Sequence, residues 1–288
     1  MGYELWLSSE TGERRKGTSF KEIQGLFIDN ITTRHIYEPL LSCRPEHEVC
    51  YVKHELKCKE FDTAGVIDDN NNLIGYVIRE ELDDGYIQDY INNIGTEKLI
   101  SDSTPIAELL NILLENEFIF VIDGSKIEGI VTRADINKPI IRIYLFGILS
   151  LFELHLNYWI NYYYETEEEW GKILKPKRVE EAEMVFSKRK GNNDELSLLE
   201  CLQISDKKVI LKESEGFRAN FNLSKSKIEK LISNNEKIRN ELAHSQNSII
   251  SNLKWELFVE TINHIEQFLI QSEEKHEHTT KDKLNAEF

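Results

Sequence analysis

Between residues 31 and 138, short apolar runs of strand length alternate with amphipathic segments, and the same order occurs twice. The first copy runs from YEPLLSCRPEHEV through FDTAGVIDDNNNLIGYVIREEL. The second runs from KLISDSTPIAELLNILLENEF through IFVIDGSKIEGIVTRADI. Each predicts a lead segment ending in a Ser or Thr turn, an amphipathic helix, and two strands joined by a tight turn. AGVID and IGYVI flank Asp69-Asn70-Asn71-Asn72, and IFVID and EGIVT flank Gly124-Ser125-Lys126, the arrangement of a hairpin. In the second copy Ser103 or Thr104 is expected to cap a helix with Pro105 at its first position. Duplication of a βαββα-like unit at a period of about 60 residues predicts a tandem module.

After Asn137-Lys138-Pro139 the strand pattern stops. Residues 140–164 predict a long helix in which Ile143, Phe146, Leu149, Phe152, Leu156, Trp159 and Tyr163 recur at three- and four-residue steps. A membrane helix needs about 20 largely apolar residues. Arg142, Glu153, His155, Asn157 and Asn161 interrupt this run, so a helix buried against protein is expected. Residues 165–195 are polar, with ETEEE, KPKR and SKRKGNNDE, and read as solvated faces. A lesser reading makes Lys177, Arg178, Lys188, Arg189 and Lys190 a basic loop for a nucleic-acid backbone. ELSLLECLQISDKKVILK predicts one helix. FRANFNLSKSKIEKLISNNEKIRNELAHSQ predicts another behind a Ser224 cap, its apolar stripe of Leu231, Ile238 and Leu242 continuing to Ile249 and Ile250. Leu253, Leu257, Ile262, Ile265 and Phe268 predict a last one. At the other end, residues 3–8 predict a short strand, and SFKEIQGLFI a short helix capped by Thr18 or Ser19.

The expected fold class is therefore α+β, a tandem βαββα pair followed by an all-α bundle of four or five helices. The expected divisions are 1–30, an N-terminal strand and linker helix; 31–138, the tandem module; 139–272, the helical domain; and 273–288, a charged flexible tail.

The 288 residues carry a formal net charge of −16. That argues against a surface that coats double-stranded DNA, while leaving room for a local basic groove. Cys43, Cys50, Cys58 and Cys201 form no CxxC pair and have no His at zinc-finger spacing, so reduced thiols and a cytoplasmic setting are expected, with no metal site. The first twenty residues lack the apolar core of a secretory leader. His276 and His278 have no third ligand nearby in the sequence.

The two copies resemble a pair of CBS domains, a tandem regulatory module. The most telling segment is GIVTRADI, residues 129–136. The resemblance implies an adenine nucleotide (AMP, ATP or an oligoadenylate-type signal) as regulatory ligand, with Thr132 facing phosphate, Asp135 accepting the ribose hydroxyls and Arg133 between them. It also implies an upstream contact from Ser101, Ser103 and Thr104. The chemistry agrees, because a carboxylate suits a vicinal diol and a hydroxyl beside a helix start suits a phosphate. Asp is equally a favoured N-cap. The first copy has Ile78-Arg79-Glu80-Glu81 in place of Thr-Arg-Ala-Asp and so lacks the hydroxyl.

In the second half, Asn240 and His244 are four residues apart and share a helix face, with Arg239 on its edge. Such a cluster suits a phosphodiester, and also an ordinary solvated helix face. IRNELAH in an all-α setting resembles the HEPN family, whose ribonuclease members carry an Arg, four to six residues, and a His. That resemblance implies metal-independent cleavage of RNA, with the 2′-hydroxyl attacking the adjacent phosphate to leave a 2′,3′-cyclic phosphate. His244 is then the general acid or base, Arg239 the stabiliser of phosphorane charge, and Asn240 an orienting amide. It further implies a homodimer that brings two motifs into one cleft, with RNA as substrate and no catalytic cofactor.

Together these features lead to the expectation of a nucleotide-regulated endoribonuclease, in a setting such as anti-phage defence or stress response. The alternative is a non-catalytic nucleotide-sensing CBS-HEPN adaptor or antitoxin-like interaction protein. A third is a nucleotide-responsive dimer in which RNELAH is only a solvated face.

Overall fold

The computed structural model describes residues 19–191, 196–243, 248–250 and 253–286. The chain divides into two compact units. One is Ile28–Lys138; the other is built from Pro139 onward, together with the start of the first helix.

Helix α1 (Phe20–Asn30) begins at a reciprocal cap. The Ser19 hydroxyl accepts from the Glu22 amide at 3.0 Å, and the Glu22 carboxylate accepts from the Ser19 amide at 3.1 Å. Two of the orphan donors of a helix start are satisfied in this way. Thr18 and the strand expected at 3–8 lie outside the described residues.

The Ile28–Lys138 unit contains β1 (Glu38–Pro39), β2 (Ser42–Cys43), α2 (Val49–Cys58), β3 (Thr63–Ile67) and β4 (Leu73–Ile78). It continues with β5 (Leu99–Ser101), α3 (Ile106–Glu115), β6 (Phe118–Asp123) and β7 (Lys126–Thr132). The strands form two sheets, ordered β2-β3-β4 and β1-β7-β6-β5. Each copy is thus β-α-β-β, with its lead strand parallel to the next and its last two strands antiparallel. The exception is β1, which lies at the start of the first copy in sequence but pairs with β7 of the second. Asp68 closes the first hairpin by accepting from the amides of Asn70 and Asn72, while Asn71 takes φ 60°. Gly124 takes φ 61° in the second, a conformation glycine reaches without a Cβ clash.

Each helix buries one stripe on its own sheet. Val49, Val52 and Leu56 of α2 pack with Ala64, Val66 and Val77. Ile106, Leu109, Leu110 and Leu113 of α3 are likewise buried, as are Ile119, Phe120, Val121 and Val131 of the second sheet. The two copies meet at Tyr76, whose ring lies 5.6 Å from that of Phe118 and 5.3 Å from that of Phe120. These are edge and tilted contacts of the kind aromatic pairs favour.

The other unit contains α4 (Pro139–Tyr163), α5 (Glu167–Gly171), α6 (Pro176–Lys190), α7 (Ile204–Glu213), α8 (Glu215–Phe221), α9 (Lys225–Ala243) and α10 (Trp255–Ala286). Helix α4 is the one described helix long and apolar enough to cross a membrane. Here it packs against α7, α8, α9 and α10. Leu149, Phe152, Leu156 and Trp159 of its expected stripe are buried, but Ile143 and Phe146 are exposed. The buried face also takes in Tyr144, Leu145, Ile148, His155 and Ile160, so α4 is packed on more than one side.

Several expectations for this half need correction. Through residue 191 the polar stretch holds two helices that the charge runs did not predict, α5, whose Trp170 is buried, and the 15-residue α6, whose surface is largely solvated as expected. Pro176 at the first position starts α6 at no hydrogen-bonding cost. The single helix expected from ELSLLECLQISDKKVILK is a 3-10 turn at Leu199–Cys201 followed by α7. The break falls at Gln203, where the Asp206 carboxylate accepts from the Gln203 amide and starts a new helix. Helix α9 is described as far as Ala243; residues 244–247 of the helix expected to reach Ile250 lie outside the described residues, and Ile249 is buried in a turn. The Ile250 amide donates to the Ser248 hydroxyl at 3.4 Å. The tail does not begin at Glu273. Helix α10 continues to Ala286; the Glu273 carboxylate accepts from the Phe20 amide, and His276 is buried with its ring 4.5 Å from Tyr158.

Candidate functional sites

In the Ile28–Lys138 unit the chemistry gathers where β7 ends. Strand β7 is held on both sides, by β6 and by β1, which fixes Thr132 at its last position. The chain then turns into a 3-10 segment, Arg133–Asn137. Asp135 Oδ2 accepts from the Thr132 amide at 2.7 Å and from the Thr132 hydroxyl at 3.0 Å. The same hydroxyl accepts from the Ala134 amide at 3.2 Å. The other carboxylate oxygen, Oδ1, faces Lys138 Nζ at 2.9 Å. Lys138 also donates to Glu38 and to the carbonyl of Ile36. Burial opposes charge on this ammonium, but the hydrogen bonds to Glu38 and Asp135 outweigh it, and the Lys138 pKa is raised above the ordinary lysine value. Asp135 is itself buried.

Arg133 is placed differently. Its Nε donates to the carbonyl of Leu113 and its Nη2 to that of Leu114, both at 3.0 Å. Those are orphan carbonyls at the end of α3, so the guanidinium closes that helix.

Ser101, Ser103 and Thr104 are not brought beside Thr132. Thr132 pairs with Phe118 at the start of β6, and Ser101 with Ile122 near its end. Four strand residues separate those partners, roughly 13 Å at about 3.3 Å each. The two serine hydroxyls share a hydrogen bond of 2.7 Å. The carbonyl of Thr104 accepts from the amide and hydroxyl of Thr33, both at 2.9 Å. The expected cap of α3 is also absent: Pro105, not Ser103 or Thr104, occupies the cap position, without a side-chain hydrogen bond. The helix starts one residue later than expected because Pro105 keeps an extended ψ of 145°.

The group that does share the Thr132 end is Lys98. It is the last residue of the 3-10 turn Thr96–Lys98 that leads into β5, and its ammonium sits 4.5 Å from the centroid of the Phe118 ring. Phe118 and Thr132 are directly paired, so they share a sheet face. Sequence reading passed over Lys98 because nothing local marks it; the signal was that a parallel lead strand puts its own start, not its end, beside the end of the third strand. In the first copy, Arg79 pairs with Asp62 and Glu81 accepts from Asn92. Glu81 does not repeat the closure made by Asp135.

In the helical unit, Arg239 and Asn240 lie on the wall of a cavity of about 480 Å³. Arg239 Nε is 3.5 Å from Glu153 Oε2 on α4. Glu153 Oε1 takes Lys207 Nζ at 2.8 Å, and Lys207 is almost wholly buried. Arg178 makes a two-pronged bond to Asp206, at 2.8 and 2.7 Å. His244 lies outside the described residues.

Residues 98–141 match the family model of the CBS domain. The chain thus carries a CBS domain, and its matched span includes Lys98, Phe118, Thr132 and Asp135. No curated protein matches the chain. Among solved structures it is similar to the CBS-pair protein CBSX2 from Arabidopsis thaliana, at 22% identity over 39% of this chain and 95% of that one, with a TM-score of 0.33. CBSX2 solved in complex with AMP is 24% identical over 39% and 97%, with a TM-score of 0.34. A putative acetoin utilization protein from Vibrio cholerae is 15% identical over 42% and 96%, with a TM-score of 0.35.

Proposed function

We propose that the protein is a nucleotide-responsive regulator, in which the CBS-type unit binds an adenine nucleotide and the helical unit delivers the response. The observation that carries this reading is the Thr132–Asp135 turn beside Phe118 and Lys98, within the residues that match the CBS domain. Lys98 and the Thr132 hydroxyl suit a phosphate, and the Asp135 carboxylate suits the two ribose hydroxyls. Ribose would take over Oδ1 from Lys138. A ligand that does so exchanges one charged partner for another, and shifts the strap formed by Ile36, Glu38 and Lys138 only by its difference in affinity for the two arrangements. Titration calorimetry with AMP, ADP and ATP tests this. Binding that falls in Asp135→Asn and in Lys98→Ala is the expected result; affinity that survives both substitutions overturns the site.

A second reading concerns the response itself. We infer metal-independent RNA cleavage by a homodimer, with Arg239 stabilising the phosphorane, Asn240 orienting the phosphate and His244 moving the proton of the 2′-hydroxyl. It is favoured by one observation: Arg239 and Asn240 lie together on the wall of a ligand-sized cavity, with Arg239 held from α4 by Glu153. Incubating labelled RNA with the protein and with His244→Ala, with and without nucleotide, decides it. Products ending in a 2′,3′-cyclic phosphate only with His244 present support it. Equal cleavage by both proteins overturns it, and cleavage by neither leaves the non-catalytic adaptor.

A further inference from the structure

The walls of the cavity in the helical unit differ sharply in how their charges are used. The floor is closed on itself. Arg178 is bound by Asp206 and Glu181, and Glu153 by the buried Lys207. Glu200 accepts from the amide and hydroxyl of Ser197 at 2.8 and 2.9 Å. The rim is open. Arg189 at the end of α6 and Glu236 and Asn240 on α9 line the same cavity, yet their side chains make no hydrogen bond or ion pair among the described residues. Arg239 has the single 3.5 Å contact to Glu153 and is 48% exposed. Glu236 and Asn240 are one helical turn apart and share a face.

A void left by imperfect packing is lined by apolar groups and stays dry. Beyond the mutually paired Arg178, Glu153, Glu181, Glu200 and Asp206 of its floor, this one presents two further guanidinium groups from different helices, a carboxylate and an amide, in a volume typical of small-ligand sites. Two guanidinium forks call for an oxyanion. An acceptor carboxylate next to an amide calls for hydroxyl or amino groups on the same ligand. We propose that the cavity binds a nucleotide unit, its phosphate between Arg189 and Arg239 and its sugar or base edge on Glu236 and Asn240. This is separate from the site at Thr132. For Arg239 and Asn240 it rests on the same residues as the cleavage reading, to which it adds Arg189 and Glu236, and it concerns binding alone.

The same chemistry is offered by a free nucleoside monophosphate and by single-stranded RNA. Full-length His244→Ala protein, in which no cleavage by that residue intervenes, is titrated with UMP by calorimetry and with a short labelled oligoribonucleotide by fluorescence anisotropy. Loss of one charge-assisted contact corresponds to about tenfold in affinity. Arg189→Ala and Arg239→Ala are each expected to weaken the bound probe by about that factor. Lys237→Ala, on an exposed position of α9 that does not line the cavity, and Asp135→Asn are expected to leave it unchanged. Response to UMP identifies a free nucleotide, and response to the oligomer alone identifies RNA. Arg189 is exposed and makes no hydrogen bond or ion pair among the described residues, so its replacement is expected to leave the fold and its circular dichroism intact. The inference is overturned if neither probe binds, if both arginine variants keep full affinity, or if Asp135→Asn removes the binding. Failure of RNA cleavage with binding intact overturns only the cleavage reading.

Discussion

Asp135 folds back on Thr132, accepting from both its amide at 2.7 Å and its hydroxyl at 3.0 Å with one carboxylate oxygen. The two residues proposed to hold a nucleotide are therefore also the two that end a strand and close the turn after it. Stability and binding separate on substitution. Asp135→Ala removes a reciprocal cap and is expected to cost about 1 kcal/mol. Asp135→Asn keeps an acceptor oxygen for Thr132 and is expected to cost less. Urea unfolding of both variants checks the order, and an equal loss in the two would show that the cap is not the source.

Glu153 joins a buried lysine to an exposed arginine. Removing the carboxylate leaves Lys207 charged and enclosed, so Glu153→Ala is expected to destabilise by about 3–5 kcal/mol, as for a broken buried pair. Arg239→Ala takes away a half-exposed partner and is expected to change stability by less than about 1 kcal/mol. Thermal unfolding of the two variants should show that contrast.

Glu266 sets a pH dependence. Burial raises its pKa, and the hydrogen bond from the Tyr144 hydroxyl offsets this only in part. A carboxylate that is harder to ionise in the folded chain contributes stability fully present below its unfolded pKa, about 4.3, and lost as pH rises through the folded value. Glu266→Gln is therefore expected to raise the melting temperature at neutral pH. The gain should vanish near pH 4, where the native carboxyl is already neutral. A gain independent of pH would exclude ionisation as its cause.

Asn235 is fully buried on α9, and neither its amide nitrogen nor its amide oxygen has a hydrogen-bond partner among the described residues. Unpaired buried polar groups cost about 1–3 kcal/mol each. Asn235→Leu, which keeps the number and branching of the side-chain heavy atoms, is expected to stabilise the helical unit. A lower melting temperature would mean that the amide is paired in solution, for instance through water.

The order of strands and helices in residues 31–138 was legible from local pattern. Strand alternation, hairpin turns at Asn71 and Gly124, and the α2 and α3 stripes depend on near neighbours. The boundary at Lys138–Pro139 was legible for the same reason, as a change of period. The GIVTRADI segment was conspicuous in sequence, and the matched CBS span contains it. Breaks inside the helical half were harder to see. The break at Gln203 depends on a single side-chain bond that apolar spacing does not register. Helix α6 was hidden because its surface is charged almost throughout and only Ala182 is buried.

Sequence alone singled out the candidates for chemistry, since Thr132, Asp135, Arg239 and Asn240 are chemically distinctive in any fold. Tertiary structure decided which of them share a place. Strand register sent Ser101 to the far end of β6 and brought Lys98 to the Thr132 end. Helix packing set Arg189 and Glu236 beside Arg239, although 47 residues divide Glu236 from Arg189 in the chain. It also assigned Arg133 to the end of α3. The reason is physical. Composition and period are properties of short stretches, whereas hydrogen-bond satisfaction and burial are settled only when distant stretches compete for the same partners.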